Sequence, residues 1–135
     1  MTVGIVVVSH SALLAAGVVE LAGQMARGLV AIEAAGGTDD GALGASLAKT
    51  SQALERASSP EGTLVLVDLG SAALIAEMAI EQLPPERRAL TRLTNAPIAE
   101  GAVLAAVESS IGSPLDAVAA AAEQATRMQK VVGRM

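Results

Sequence analysis

The stretch Val3-Gly4-Ile5-Val6-Val7-Val8-Ser9-His10-Ser11 decides how the rest of the chain is read. Its first six residues form a continuous apolar run rich in β-branched side chains, the pattern of a parallel strand covered on both faces. Directly after it, Ser11 stands as the N-cap of a helix over Ala12 to Arg27, in which Leu14, Val18, Leu21 and Met25 share one face. A buried strand that feeds straight into a helix is the opening of a β-α-β unit.

Thr63 to Val67 reads as a second strong strand, and Leu29 to Ala34 and Ala89 to Leu93 as weaker ones. Helical patterns fall between all four. One lies between Gly44 and Ser58 with Leu47 and Leu54 inward, and another follows Ser71 with Leu74, Ile75, Met78 and Leu83 inward until Pro84 and Pro85 end it. A fourth, Ile98 to Ser110, is expected to bury Val103, Leu104 and Val107. Ser113 and Pro114 read as N-cap and first position of a fifth helix, whose alanine-rich turns run to about Lys130. The alternation predicts an α/β fold: a doubly wound, mainly parallel sheet of about four strands with helices on both faces. With no repeat and no linker composition, residues 1–135 are expected to form a single domain.

Composition narrows the function. Apolar residues make up 52% of the chain and none is aromatic, so Val, Leu, Ile, Ala and Met must fill the core and no ring is available to stack on bases. A formal charge of −5 opposes a nucleic-acid backbone. With no cysteine and a single histidine, neither a disulfide framework nor a thiolate or His-rich metal site can be assembled, and no metal is expected. The N-terminus lacks a signal-peptide pattern and the apolar runs are too short or glycine-interrupted to span a bilayer, so a cytoplasmic protein is expected.

His10 carries the chemistry most simply. It sits two residues beyond a strong strand and beside a helix N-terminus, where open α/β sheets place their ligand crevices. Amides of a helix start can stabilise a phosphoryl group once one is attached. Asp68, in Asp68-Leu69-Gly70-Ser71, occupies the corresponding end of the Thr63 to Val67 strand, and approaches His10 if those two strands are neighbours. A carboxylate on one ring nitrogen fixes the tautomer and frees the other nitrogen to attack phosphorus. Gly36-Gly37-Thr38-Asp39-Asp40 offers backbone amides and the Thr38 hydroxyl to a phosphate. Ser9, Ser11, Gly37, Thr38, Gly70 and Ser71 are thus the candidate crevice-lining residues.

Competing chemistries fit less well. Neither a phosphate-binding loop ending in Gly-Lys-Ser or Gly-Lys-Thr nor a dinucleotide fingerprint is present, and no Gly-x-Ser-x-Gly elbow supports a serine hydrolase. Asn95-Ala96-Pro97 reads as a loop and helix entry, Met25 and Met78 as packing residues, and Arg87 with Arg88 as a solvated turn.

Taken together, Val6-Val7-Val8-Ser9-His10-Ser11, Gly36-Gly37-Thr38, Val67-Asp68-Leu69-Gly70-Ser71-Ala72 and Ala96-Pro97-Ile98-Ala99-Glu100-Gly101-Ala102 resemble the DhaM family of phosphoenolpyruvate-dependent dihydroxyacetone kinase subunits, whose first domain is similar to mannose-family EIIA domains. The resemblance spans nearly the whole chain. It implies that His10 is phosphorylated on the far nitrogen, Nε2, that Asp68 orients its ring, and that the Thr38 and Ser71 loops border the phosphoryl group. It also implies a route: the phosphocarrier HPr as donor, ADP on a DhaL subunit as acceptor, DhaK as the subunit that binds dihydroxyacetone, and a homodimer. The phosphate is then carried covalently, with no permanent cofactor. Because some DhaM proteins continue into HPr-like and enzyme-I-like domains, a chain ending at Met135 is expected to receive phosphate from separate proteins. A mannose-family EIIA domain of a sugar transport system is the alternative, but its corresponding turn carries two glycines and then Ser-Pro, where this chain has Gly70-Ser71-Ala72. A non-covalent small-anion binding module is the other alternative, and His10→Ala separates it from a carrier.

Overall fold

A computed structural model of the chain describes residues 1–133. Positions 134 and 135, with which the expected domain ends, lie outside the described residues. Four parallel strands, β1 (Gly4–Ser9), β2 (Ile32–Gly36), β3 (Thr63–Val67) and β4 (Thr91–Leu93), lie in the order β2-β1-β3-β4. The helices are α1 (Ala12–Met25), α2 (Leu47–Arg56), α3 (Gly70–Glu81), the short α4 (Pro85–Arg88), α5 (Ile98–Ser110) and α6 (Leu115–Glu123), followed by one 3-10 turn over Gln124–Arg127. The chain winds outward from β1 in both directions, so the switch point falls between β1 and β3, at the end where the sequence places His10.

Alternation along β1 divides the core. Val3, Ile5 and Val7 face α1, α5 and α6 together with Leu64 and Leu66, while Val6 and Val8 face α2 and α3 with Val65. All of these strand residues are fully buried, as an apolar strand with helices on both sides requires. Gly4 is fixed by this packing, because a Cβ there would lie 2.0 Å from the carbonyl oxygen of Ala57 at the end of α2.

Several expected boundaries move. The β2 strand begins at Ile32 rather than Leu29, because Arg27 (φ 55°) and Gly28 (φ 71°) adopt left-handed turns after α1 and leave Leu29 exposed. Strand β4 is shortened to Thr91–Leu93 because Pro85 opens α4, with Ala89 as its C-cap. Pro114, not Ser113, is the N-cap of α6, and the Ser113 hydroxyl instead donates to Glu108. Past Glu123 the last helix tightens into the 3-10 turn rather than running on to Lys130.

The buried faces of the helices also differ from expectation, and in one consistent way. On α1 the buried residues are Ala15, Val18 and Ala22, while Leu14, Leu21 and Met25 are about half exposed. On α3 they are Ala72, Ala76 and Ala79, with Leu74 and Met78 outside. On α5 they are Gly101, Ala102, Ala105, Ala106 and Ser109, while Val107 is exposed and Val103 only partly buried. Small residues let helix backbones approach the sheet and one another closely, which is how a chain without aromatic rings reaches dense packing. Gly101 shows the tightness: a Cβ there would meet Ala96 Cβ and Leu66 Cδ2, each at 2.9 Å. Met25 and Met78 are therefore not core fillers. Arg87 is not a solvated turn residue either, since it donates to Glu55 and to the Leu54 carbonyl, tying α4 to α2.

Candidate active site

Adjacent parallel strands in register bring the site together. Val8 pairs with Val67, so the residues that follow, Ser9-His10 and Asp68, leave the sheet side by side at its C-terminal edge. The His10 backbone N–H donates to Asp68 Oδ2 over 3.1 Å, and His10 Nδ1 lies 3.1 Å from Asp68 Oδ1. A carboxylate only accepts, so this contact places the ring proton on Nδ1 and leaves Nε2 with its lone pair. Nε2 meets the Ser71 hydroxyl, which donates to it. The His10 side chain remains 23% exposed against 12% for Asp68, so the carboxylate is the deeper of the two groups.

Asp68 is built to stay ionised. Partial burial pushes its carboxyl up, but donors from the Ser9 hydroxyl, the His10 ring and the backbone amides of His10 and Leu69 outweigh this and hold it below the usual carboxylate range. The Leu69 amide reaches Oδ1 at 2.7 Å and the Ser9 hydroxyl reaches Oδ2 at 2.6 Å. Both oxygens are thus held by two groups each.

The ring also lies at the start of α3. Ser71 is the second residue of that helix, the N-cap Leu69 has no side-chain cap, and the first intrahelical bond is made by Ala73 N–H to the Leu69 carbonyl. The amides of Gly70, Ser71 and Ala72 are therefore the orphan donors of the helix, next to the His10 ring.

Not every candidate residue reaches this crevice. Ser9 is completely buried behind the ring and holds Asp68. Ser11 caps α1, its hydroxyl accepting from the Leu14 amide. Gly37 is buried and donates to the Ser9 carbonyl with φ +79°, a conformation that favours glycine. Thr38 turns into its own loop, where its hydroxyl donates to Asp40 and accepts from the Ala42 amide. That loop is ordered by the site: the Gly44 amide donates to the His10 carbonyl over 2.8 Å. Gly70 and Ser71 alone among these candidates are exposed.

A depression of about 730 Å³ lies away from the ring between this loop and α2, and its lining includes the carboxylates of Asp39 and Asp40, the wrong sign for phosphate. A smaller cleft of about 420 Å³ runs from Asp68, Leu69 and Gly70 to Asn95, Pro97 and Thr126. Asn95, read from sequence as an ordinary loop residue, thus borders the same end of the sheet as Asp68.

The EIIA-man family model, described as the PTS system fructose IIA component, matches residues 4–119. Phosphoryl donor subunit DhaM of dihydroxyacetone kinase 2 from Listeria innocua is 35% identical over 116 residues, which cover 86% of this chain and 93% of that relative. The chain belongs to the DhaM family. The DhaM subunit of Escherichia coli (strain K12) is 41% identical over 119 residues, and there the match covers 25% of the relative. The chain therefore spans about a quarter of the length of that longer DhaM and nearly all of the Listeria one. Among solved structures, a protein of unknown function superposes with a TM-score of 0.83 at 34% identity, covering 92% of this chain and 95% of that one. A mannose/sorbose-specific IIA subunit from Enterococcus faecalis matches at a TM-score of 0.52 and 22% identity over the whole chain and 98% of its own, which supports the doubly wound fold. Among the described residues, no helix of this DhaM-family chain is long and apolar enough to cross a membrane.

Proposed function

We propose that the chain is the phosphoryl carrier of a phosphoenolpyruvate-dependent dihydroxyacetone kinase: it takes the phosphoryl group from phospho-HPr onto Nε2 of His10 and delivers it to ADP on a DhaL subunit, with DhaK presenting dihydroxyacetone. The observation that carries this reading is the line Asp68–His10–Ser71, in which a carboxylate holds Nδ1 and leaves Nε2 outward beside an uncapped helix start.

In the first half-reaction the Nε2 lone pair attacks phosphorus in line as the nitrogen–phosphorus bond of the donor breaks. The donor ring leaves as neutral imidazole, and each ring keeps its other N–H, so no proton crosses between the proteins. His10 then carries a positive ring bonded to a dianionic phosphoryl group. Asp68 balances the ring charge through Nδ1–H. The Ser71 hydroxyl, released from Nε2 by the new bond, turns to a phosphoryl oxygen, and the free α3 amides serve the others. In the second half-reaction a β-phosphate oxygen of ADP attacks the same phosphorus, forming ATP and returning the ring with its proton still on Nδ1.

Exposed leucines near the site residues support a reading with protein partners. Leu13, Leu43, Leu69 and Leu74 are 86%, 81%, 60% and 62% exposed, and each stands within three residues of His10, Gly44, Asp68 or Ser71 in the chain. Exposed apolar side chains this close to the site residues in the chain fit docking by another protein's active face. The same reading carries a homodimer in the cytoplasm, which light scattering of the purified chain checks.

Reconstitution tests the assignment. With enzyme I, HPr, cognate DhaK and DhaL, ADP and phosphoenolpyruvate, the chain is expected to support dihydroxyacetone phosphate formation, and omitting it should stop the reaction. Phosphoryl uptake without delivery to DhaL-bound ADP, but with delivery to a mannose-type sugar permease, would assign it instead to sugar transport.

A further inference from the structure

We infer that Ser9 is the positioning residue of the phosphoryl site: buried behind His10, it locks the Asp68 carboxylate in the rotation that selects the histidine tautomer. The inference rests on the carrier reading of His10 and adds to it the group that sets the state of the ring.

Ser9 ends β1 and is wholly inaccessible, so it neither touches a phosphoryl group nor meets a partner protein. Its hydroxyl has two neighbours of opposite character. The Ser11 amide reaches Ser9 Oγ over 3.0 Å and can only donate. Asp68 Oδ2 lies 2.6 Å away and, ionised, can only accept. The hydroxyl proton has one place to go, and the result is a directed chain from the Ser11 N–H through Ser9 Oγ–H to Asp68. With the His10 amide on the same oxygen, Oδ2 is pinned to β1, and Oδ1 is turned toward Nδ1 and the Leu69 amide. The Ser9 carbonyl also accepts from Gly37, so the residue joins the turns after β1, β2 and β3. Without the hydroxyl, Oδ2 keeps one donor, the His10 amide, and the carboxylate is held less firmly in the rotation that turns Oδ1 toward Nδ1.

Nitrogen-15 NMR of the His10 ring reads this directly, since the two neutral tautomers differ in which nitrogen carries hydrogen. In the wild type the Nδ1-protonated form is expected to dominate. Ser9→Ala should move the population toward Nε2–H and slow phosphoryl uptake from phospho-HPr by about tenfold, the size of one lost hydrogen bond to a charged group, with KM for the donor unchanged. Ser9→Thr adds a methyl to a full site and should lower the melting temperature, yet restore tautomer and rate because the hydroxyl is back. A Ser9→Ala protein with wild-type tautomer and rate overturns the inference, as does a Thr variant that loses rate while keeping the wild-type tautomer. If the Ala variant does not fold, Ser9→Cys replaces it: the weaker donor should shift the tautomer in the same direction, and an unshifted ring overturns the inference. The tautomer measurement involves no phosphoryl transfer, so a wild type that takes no phosphate from any donor removes the carrier reading and leaves Ser9 to be judged on the NMR alone.

Discussion

One carboxylate decides what the only histidine of this chain can do. Asp68 holds Nδ1, and replacing it with Asn keeps the shape while allowing the amide to present either a donor or an acceptor to the ring. Asp68→Asn is expected to slow labelling of His10 by on the order of 100-fold or more, measured by rapid quench, with the fold intact by circular dichroism. The same carboxyl links stability to pH. Its folded pKa lies below the usual carboxylate value, so in the window between the two the unfolded chain binds the extra proton. Its contribution is therefore fully present above the unfolded value, near pH 4, and is lost as pH falls through the lowered folded value. Acid unfolding followed by circular dichroism should show a shallower decline below pH 4 in Asp68→Asn than in the wild type. The His10–Asp68 pair was legible in the sequence because both residues follow strong apolar strands. The role proposed for Ser9 was not, because a serine beside a histidine reads as a crevice group, and only the register of β1 with β3 shows it turned inward toward Asp68.

Among the elements, strands could be read more surely than helix faces, for a physical reason. A strand such as Val3 to Val8 is buried on both sides and needs no choice of face, whereas a helix must choose, and here alanine competes with leucine for the inside. Leu and Met outrank Ala in hydrophobicity, so a reading by apolar size selects Leu14, Leu21 and Met25 on α1, about one residue in rotation from the face that packs. Close approach decides otherwise. Leu21→Lys or Met25→Lys should cost less than about 1 kcal/mol in urea denaturation, while Ala15→Leu or Ala105→Leu should cost about 1–3 kcal/mol by overpacking. A reversal of that order would restore the face read from the sequence. Gly4→Ala is expected to be worse than either, at about 3 kcal/mol or more, because both the new Cβ and the Ala57 oxygen it meets belong to backbone-anchored positions.

For the molecule as a whole, the proposed chemistry lies in the turns at one edge of the sheet. Three of those turns are tied together through Ser9, His10 and Asp68, and Leu13, Leu43, Leu69 and Leu74 stand exposed close to them in the chain. Exposed apolar side chains beside the proposed phosphoryl site suit the proposed hand-over to a second protein. Leu13→Asp is expected to raise KM for phospho-HPr severalfold at unchanged melting temperature, since Leu13 is almost fully exposed and supports no core contact. The central claim, that phosphate travels covalently on His10, is tested most directly by label transfer from radioactive phosphoenolpyruvate through enzyme I and HPr to the wild type and to His10→Ala. The account predicts one acid-labile phosphoryl group per wild-type chain and none on the variant; label retained by His10→Ala, or a wild type left unlabelled by competent donors, would contradict it.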